Sequence, residues 1–472
     1  MIHFGTGGWR AIIGDEFTRQ NIQLLAKAMS MKMKAEGVAE EGIVIGYDRR
    51  FLSKESVKWA CEVFAAEGIK CLFVNRSSPT PLVMYYVEKH EMHYGMMVTA
   101  SHNPALYNGF KVFTYGGRDA NEEQTREIEA YAAQAEKEGE IRWIEYEKAK
   151  ADGMVVEFNP LNEYLDNIIA NINMEAIRER GLHIVLDPMY GVSQNSLKTI
   201  LSTARCELDI IHGQHDTLFG RRMPAPSEHA LTELRTYVTE MECDLGIATD
   251  GDADRIGVVD DRGRYLHAND ILCLLYYYLL RYRGWRGPVV RNVATTHTLD
   301  RLAEAYGQAC YEVPVGFKHI SAKMQETNAV IGGESSGGLT VRGHINGKDG
   351  IYAGSLLVEM IAVSGKKLSE IADEMEQEFG RNHMEERSYK FSVERKEELQ
   401  KMLFEERQIP DFECPIQKVS YMDGCKVYFE NGGWIIARFS GTEPLLRIFC
   451  EMSKEQEAKA MCEKFERLLE LA

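Results

Sequence analysis

At 472 residues the chain is too long for one hydrophobic core, and its length predicts three domains or four. Its 27% charged and 44% apolar residues are those of ordinary globular protein. The net charge of −17 argues against binding to nucleic acid or to an anionic membrane surface, but leaves room for a phosphorylated small molecule in a local basic pocket.

The first stretch, Met1 to Arg10, lacks the apolar segment of a signal peptide. Within it, Gly5-Thr6-Gly7-Gly8-Trp9-Arg10 is glycine-rich but is not G-x-G-x-x-G and is not expected to follow a strand, so it predicts no dinucleotide site. A P-loop sequence is also missing. The ten cysteines are scattered and form no C-x-x-C pair, which predicts reduced thiols and a cytoplasmic protein.

A strand is expected over 42–47, a helix over 53–66 and a strand over 71–74. The same order recurs at 183–186, 193–201 and 208–211, and again at 288–290, 298–306 and 310–313. Alternation of this length predicts βαβ units, hence three similar α/β domains with mixed, largely parallel sheets. Each unit then sends a further strand into a polar loop. These are 96–98 into Thr99-Ala100-Ser101-His102-Asn103-Pro104, 245–248 into Asp250-Gly251-Asp252-Ala253-Asp254-Arg255, and 329–331 into Gly332-Gly333-Glu334-Ser335-Ser336-Gly337-Gly338. Open parallel sheets bind ligands beyond the carboxyl ends of their strands, so the three loops are candidates to face one cleft.

The longest apolar run, 271–280, is too short to span a bilayer and reads as a core helix capped by Asn269-Asp270. A helix over 366–379 precedes a boundary at 380–383. The tail follows: helix 393–404, strands 425–429 and 434–439, the loop Ser440-Gly441-Thr442-Glu443-Pro444, strand 446–450 and helix 454–471. That is a smaller C-terminal α+β domain. The expected domains are 1–150, 151–262, 263–380 and 381–472.

Asp250, Asp252 and Asp254 alternate, so in an extended segment their carboxylates share one side. Without a cation they would repel, and few hard oxygen ligands suit Mg²⁺. An acidic surface turn is the plainer alternative. Arg255 stands where an EF-hand loop requires glycine. Arg438, Ser440, Gly441, Thr442 and Arg447 make a phosphate-type cradle of forked guanidiniums, hydroxyls and accessible backbone N–H groups. Glu443 is expected to orient an arginine. Glu334 and Ser336, between paired glycines, suit vicinal sugar hydroxyls, although a flexible turn explains them equally well. Ser101 lacks the G-x-S-x-G elbow of a hydrolase, and His102 reads as structural because adjacent loop residues rarely point at one another.

Taken together, these loops resemble the α-D-phosphohexomutase family, of phosphoglucomutase/phosphomannomutase type. The residues that carry the resemblance are Phe4 to Arg10, Thr99 to Pro104 with Tyr107-Asn108-Gly109-Phe110-Lys111, Asp250 to Arg255, Gly333 to Gly337 and Arg438 to Pro444. It covers essentially the whole chain and implies four domains around a central cleft. It implies an intramolecular phosphotransferase in which Ser101 is a phosphoserine. Mg²⁺ would be held by Asp250, Asp252, Asp254 and that phosphate, with Arg10 and Lys111 flanking the transferred group. Glu334, Ser336, Arg255 and Lys318 would meet the sugar phosphate, and the Arg438 loop the phosphate that does not react. A hexose 1,6-bisphosphate is the implied intermediate and activator. Relatives acting on mannose or glucosamine phosphates commonly end the sugar loop in histidine. Gly338 stands there instead, which tilts the expectation to glucose, with mannose or glucosamine as alternatives. A metal-dependent sugar-phosphate phosphatase and a non-catalytic binding protein are the rival classes. A monomer or homodimer is expected.

Overall fold

The computed structural model describes residues 2–5, 8–439 and 445–471. Strands Ile43–Tyr47, Tyr94–Val98 and Leu245–Thr249 are buried at every position, because helices cover both faces of their sheets. The first sheet has eight strands. Tyr94–Val98, Ile43–Tyr47, Cys71–Val74 and Val155–Phe158 lie side by side in parallel. Tyr107–Thr114, Gly8–Ile12 and Phe4–Gly5 extend the sheet antiparallel beyond Tyr94–Val98. Gly5 therefore pairs with Gly8 in an antiparallel ladder, where the sequence reading expected no strand before the glycines.

In the second sheet Glu207–Ile210, His183–Asp187 and Leu245–Thr249 are parallel, and Ile256–Asp260 and Tyr265–Leu266 antiparallel. The third sheet has Cys310–Val313, Val289–Asn292 and Ile331–Gly333 parallel, with Leu339–Val341 antiparallel. The last sheet is wholly antiparallel: His383–Lys390, Leu445–Met452, Trp434–Phe439, Cys425–Phe429 and Ile416–Ser420. The architecture is thus three α/β units with mixed sheets and a smaller α+β unit.

A regularity emerges that the sequence reading lacked. Each polar loop of the first three sheets connects a strand to an antiparallel neighbour, pairing Val98 with Phe110, Thr249 with Ile256 and Gly333 with Leu339. Each is therefore pinned at both ends.

Helix Ala268–Arg281 is buried throughout from Ile271 to Leu280. Its cap lies earlier than expected, at His267, whose Nδ1 accepts the Asn269 N–H while Asp270 accepts the His267 N–H. It packs on helix Gly350–Ser364, which also touches Met174–Arg180 and Gln194–Thr203. One apolar core consequently runs from under the first sheet through the second into the third.

The last unit docks on the third through a small apolar cluster, Val293 and Ala294 against Trp434, Ile436 and Phe449, and through ions. Lys426 Nζ reaches Glu312 Oε2 and the Val293 carbonyl, both at 2.7 Å, and Arg291 Nη1 reaches the same Glu312 oxygen at 2.6 Å. Among the described residues no helix is long and apolar enough to cross a membrane. All ten cysteines are free.

Candidate active site

Ser101 sits at the carboxyl end of Tyr94–Val98, buried, with a left-handed φ of 50°. Such a conformation in a residue with a side chain costs free energy, and surrounding bonds must hold it. Thr99 Oγ1 accepts the Ser101 N–H at 2.8 Å. The buried Arg50 guanidinium donates to the carbonyls of Ser101, Asn103, Pro104 and Tyr107 at 2.6–2.9 Å. Asp48 supports this clamp, accepting from the Thr99 and Ser53 hydroxyls at 2.7 and 2.9 Å and lying 3.4 Å from Arg50 Nε.

The Ser101 hydroxyl donates to Asp250 Oδ2 at 2.7 Å, which joins the first loop to the second. His102 Nδ1 lies 3.4 Å from Ser101 Oγ, so the two do face each other, contrary to the expectation from adjacency. The left-handed turn at Ser101 folds the neighbouring side chains together. Arg255, then burial and Arg10, hold the His102 imidazole well below its usual pKa and therefore neutral at neutral pH.

Asp250, Asp252 and Asp254 are buried, with one ligand atom of each lying within 4.8 Å of the others. Asp250 Oδ1 accepts the Asp254 and Arg255 N–H groups. Lys111 Nζ bonds Asp252 Oδ2 at 2.6 Å and Asp254 Oδ2 at 2.7 Å, and Lys348 Nζ lies 2.9 Å from Asp254 Oδ2. Asp252 Oδ1 and Asp254 Oδ1 are buried without a hydrogen-bond partner. Orphaned carboxylate oxygens beside a third carboxylate are a donor set suited to a hard divalent cation. Burial opposes the charged form of all three aspartates, but at Asp252 the Lys111 ammonium and the Thr80 hydroxyl outweigh burial and the Asp254 charge and hold it below the ordinary carboxylate value. Asp252 and Asp254 add their charge to hold Asp250 well above the carboxylate range. At Asp254 the cations Lys111, Lys348 and Arg255 outweigh burial and hold it well below. Gly251 lets the loops meet, since a Cβ there would stand 2.7 Å from the Ser101 carbonyl oxygen.

Arg10 Nη1 donates to Asn103 Oδ1 at 3.0 Å, while the buried Nε groups of Arg10 and Arg255 make no hydrogen bond, that of Arg255 lying 3.9 Å from Asp254 Oδ1. The third loop joins through the Ile256 N–H, which donates to the Gly337 carbonyl at 3.1 Å. Glu334 is held through Oε1 by the Asn292 amide and the Gly316 N–H, each at 3.1 Å. Ser336 is exposed. Lys318 is turned to Glu122 Oε1 at 2.9 Å, bridging the first and third units. Arg438 and Arg447 are direct cross-strand partners. Arg438 Nε donates to Asp423 Oδ2 at 2.9 Å, and that oxygen also accepts the Val315 N–H. Ser440, Gly441 and Thr442, with Glu443, lie outside the described residues.

Sequence reasoning missed Arg50, Asp48 and Lys348. Asp48 and Arg50 follow the buried strand Ile43–Tyr47, at the strand end where the other loops were sought. Lys348 gave no signal, since only the fold carries it back to Asp254.

Three mixed α/β sheets and an α+β unit, with a buried serine, an aspartate cluster and surrounding cations, define a phosphoryl-transfer class of protein. Models of the phosphoglucomutase/phosphomannomutase family match this chain in order: alpha/beta/alpha domain I over 1–139, domain II over 162–263, domain III over 267–379 and the C-terminal domain over 390–468. A phosphoglucomutase/phosphomannomutase of Thermococcus kodakarensis is 30% identical over 470 residues, covering 99% of this chain and 98% of its own. A phosphoglucosamine/phosphogalactosamine mutase of Sulfurisphaera tokodaii is 27% identical, covering 99% of each. A crystal structure from Thermus thermophilus superposes with a TM-score of 0.86 at 29% identity, covering 99% of each chain. The chain belongs to the phosphoglucomutase/phosphomannomutase family, the α-D-phosphohexomutases. It is an enzyme of that superfamily, which acts by intramolecular phosphoryl transfer.

Proposed function

We propose that the chain interconverts a hexose 1-phosphate and a hexose 6-phosphate through a phosphoserine at Ser101 and a hexose 1,6-bisphosphate. The observation that carries this is the bond from Ser101 Oγ to Asp250, beside two orphaned carboxylate oxygens and the Lys111 ammonium. Mg²⁺ on Asp250, Asp252, Asp254 and the Ser101 phosphate would neutralise charge on the transferring group. Arg10, Lys111, Arg255 and Lys348 supply fixed cations around it. His102 lies 3.4 Å from Ser101 Oγ, whose proton is directed to Asp250. Arg438 and Arg447, with Ser440, Gly441 and Thr442, would grip the phosphate that is not reacting. Lys318 would extend the substrate wall beside Glu334. Burial of Ser101 protects its phosphate from water, which disfavours the phosphatase reading.

For the sugar we propose glucosamine first and mannose second, in place of glucose. Relatives named as phosphoglucosamine mutases, that of Sulfurisphaera tokodaii among them, support glucosamine, while the Thermococcus relative's name covers glucose and mannose alike. The absent histidine no longer argues for glucose, because a Cβ at Gly338 would stand 2.2 Å from Lys348 Cδ. The Lys348 stem occupies the space that a side chain at 338 would take. The Glu334 carboxylate, anchored through one oxygen, suits an amino sugar's ammonium. A coupled assay in Mg²⁺ should give kcat/KM in the order glucosamine, mannose, glucose 1-phosphate. Glucose in first place would reverse the sugar assignment. Intact mass should show about 80 Da of phosphoryl on the wild type and none on Ser101→Ala, which should lose essentially all turnover. Inorganic phosphate released in place of isomerised sugar would turn the reading to a phosphatase.

A further inference from the structure

The second sheet carries another set of ligand atoms at the end away from the aspartate loop. His183 opens the strand His183–Asp187, Asp209 lies in Glu207–Ile210, and Cys243 stands just before Leu245–Thr249. The parallel register, His183 with Glu207 and Ile184 with Leu245, brings the three to one rim. His183 Nε2 is 2.8 Å from Asp209 Oδ2 and 3.8 Å from Cys243 Sγ, and all three ligand atoms lie within 4.8 Å of one another. Tetrahedral zinc with ordinary bond lengths separates such atoms by about 3.3–3.7 Å, so sub-ångström shifts would seat an ion.

We propose that His183, Asp209 and Cys243 form a second metal site, for a borderline-soft divalent ion such as zinc. Thiol and imidazole ligands select against Mg²⁺, so this site and the aspartate cluster would not compete for one ion. The His183 backbone N–H is fixed on Asp244 Oδ2 at 2.9 Å. On binding, the sulfur–metal bond forms and the thiol proton passes to buffer. Three protein ligands leave a fourth position for water, and the half-buried His183 and Asp209 give a route in. A strand rises about 3.3 Å per residue, placing Cys243 roughly 20 Å from Asp250. The ion would clip three adjacent strands together and would not touch substrate.

The test uses the full chain with Mg²⁺ saturating the aspartate site. Cobalt(II) should bind with a thiolate-to-metal charge-transfer absorption that saturates at one equivalent and is bleached by zinc. Cys243→Ser should lack the absorption. His183→Gln should bind cobalt at least tenfold more weakly, and both variants should keep wild-type mutase turnover, which reports folding. Should the buried Cys243→Ser fail to fold, Asp209→Asn at the rim serves instead, with the same tenfold loss expected. No charge-transfer absorption in the wild type, or its persistence in Cys243→Ser, would overturn the site. So would unweakened cobalt binding by folded His183→Gln or Asp209→Asn.

Discussion

Lys348 reaches Asp254 through space that Gly338 leaves open, so two residues of the third unit act together on a carboxylate of the second. A methyl group at 338 would collide with the middle of the lysine stem, and the ammonium would have to swing off Asp254. Gly338→Ala should therefore lose about ten- to a hundredfold in kcat/KM, the usual effect of losing a charge-assisted bond. In the Lys348→Ala background the same change should add little, because the two losses are one. Independent, additive losses in the double variant would show that Gly338 acts by another route. Neither half of this pair could be read from the chain. Gly338 was visible only as a missing histidine, and a lone lysine beside Asp349 looks like any solvated turn.

At the level of strands and loops, much was legible. Strands Cys71–Val74, Cys310–Val313 and Cys425–Phe429 and helix Ser53–Ala66 fall where apolar runs and helical periodicity put them. The returning strands Tyr107–Thr114 and Ile256–Asp260 were not foreseen. Their patterns are nearly continuously buried, so alternation gives no signal, and pairing with a strand already passed is a tertiary fact. The first of the polar loops depends on Arg50. Arg50→Met would strand Asp48 in the interior and free four carbonyls. Losing one partner of a buried pair costs about 3–5 kcal/mol, so the first thermal transition should fall by several degrees and phosphorylation of Ser101 should slow. An unchanged transition would show that the loop holds its shape without the clamp.

Lys426 sets the pH response of the neighbouring junction. Burial, then Arg291, lower its pKa to about 7, against the pull of Glu312. Below that value the ammonium is protonated in both folded and unfolded states and contributes no slope. Between about 7 and the ordinary lysine range the unfolded chain holds the extra proton, so stability rises with pH. Thermal unfolding between pH 6 and 9 should show this rise in the wild type and lose it in Lys426→Met. A parallel rise in both would assign the slope to other groups.

Across the whole molecule, the first three sheets share one core, while the last unit is joined by a small apolar patch and ion pairs. The loop motifs announced a shared cleft, but the continuity of the core was hidden, since helix Gly350–Ser364 is apolar on nearly every side and does not reveal its partners. One feature of the first sheet bears on how the protein is made. Its strand Val155–Phe158 is the last of that sheet in sequence and covers Cys71–Val74, a short apolar strand whose backbone would otherwise be an open edge. A nascent chain that has left the ribosome only as far as residue 150 therefore displays a sticky border, and a few more residues seal it. A fragment ending at 150 should aggregate faster on release than one ending at 160, as followed by light scattering. Equal behaviour would mean the border is covered by something else. Synthesis thus passes through a brief window in which a pause in translation would favour association between neighbouring chains on one message.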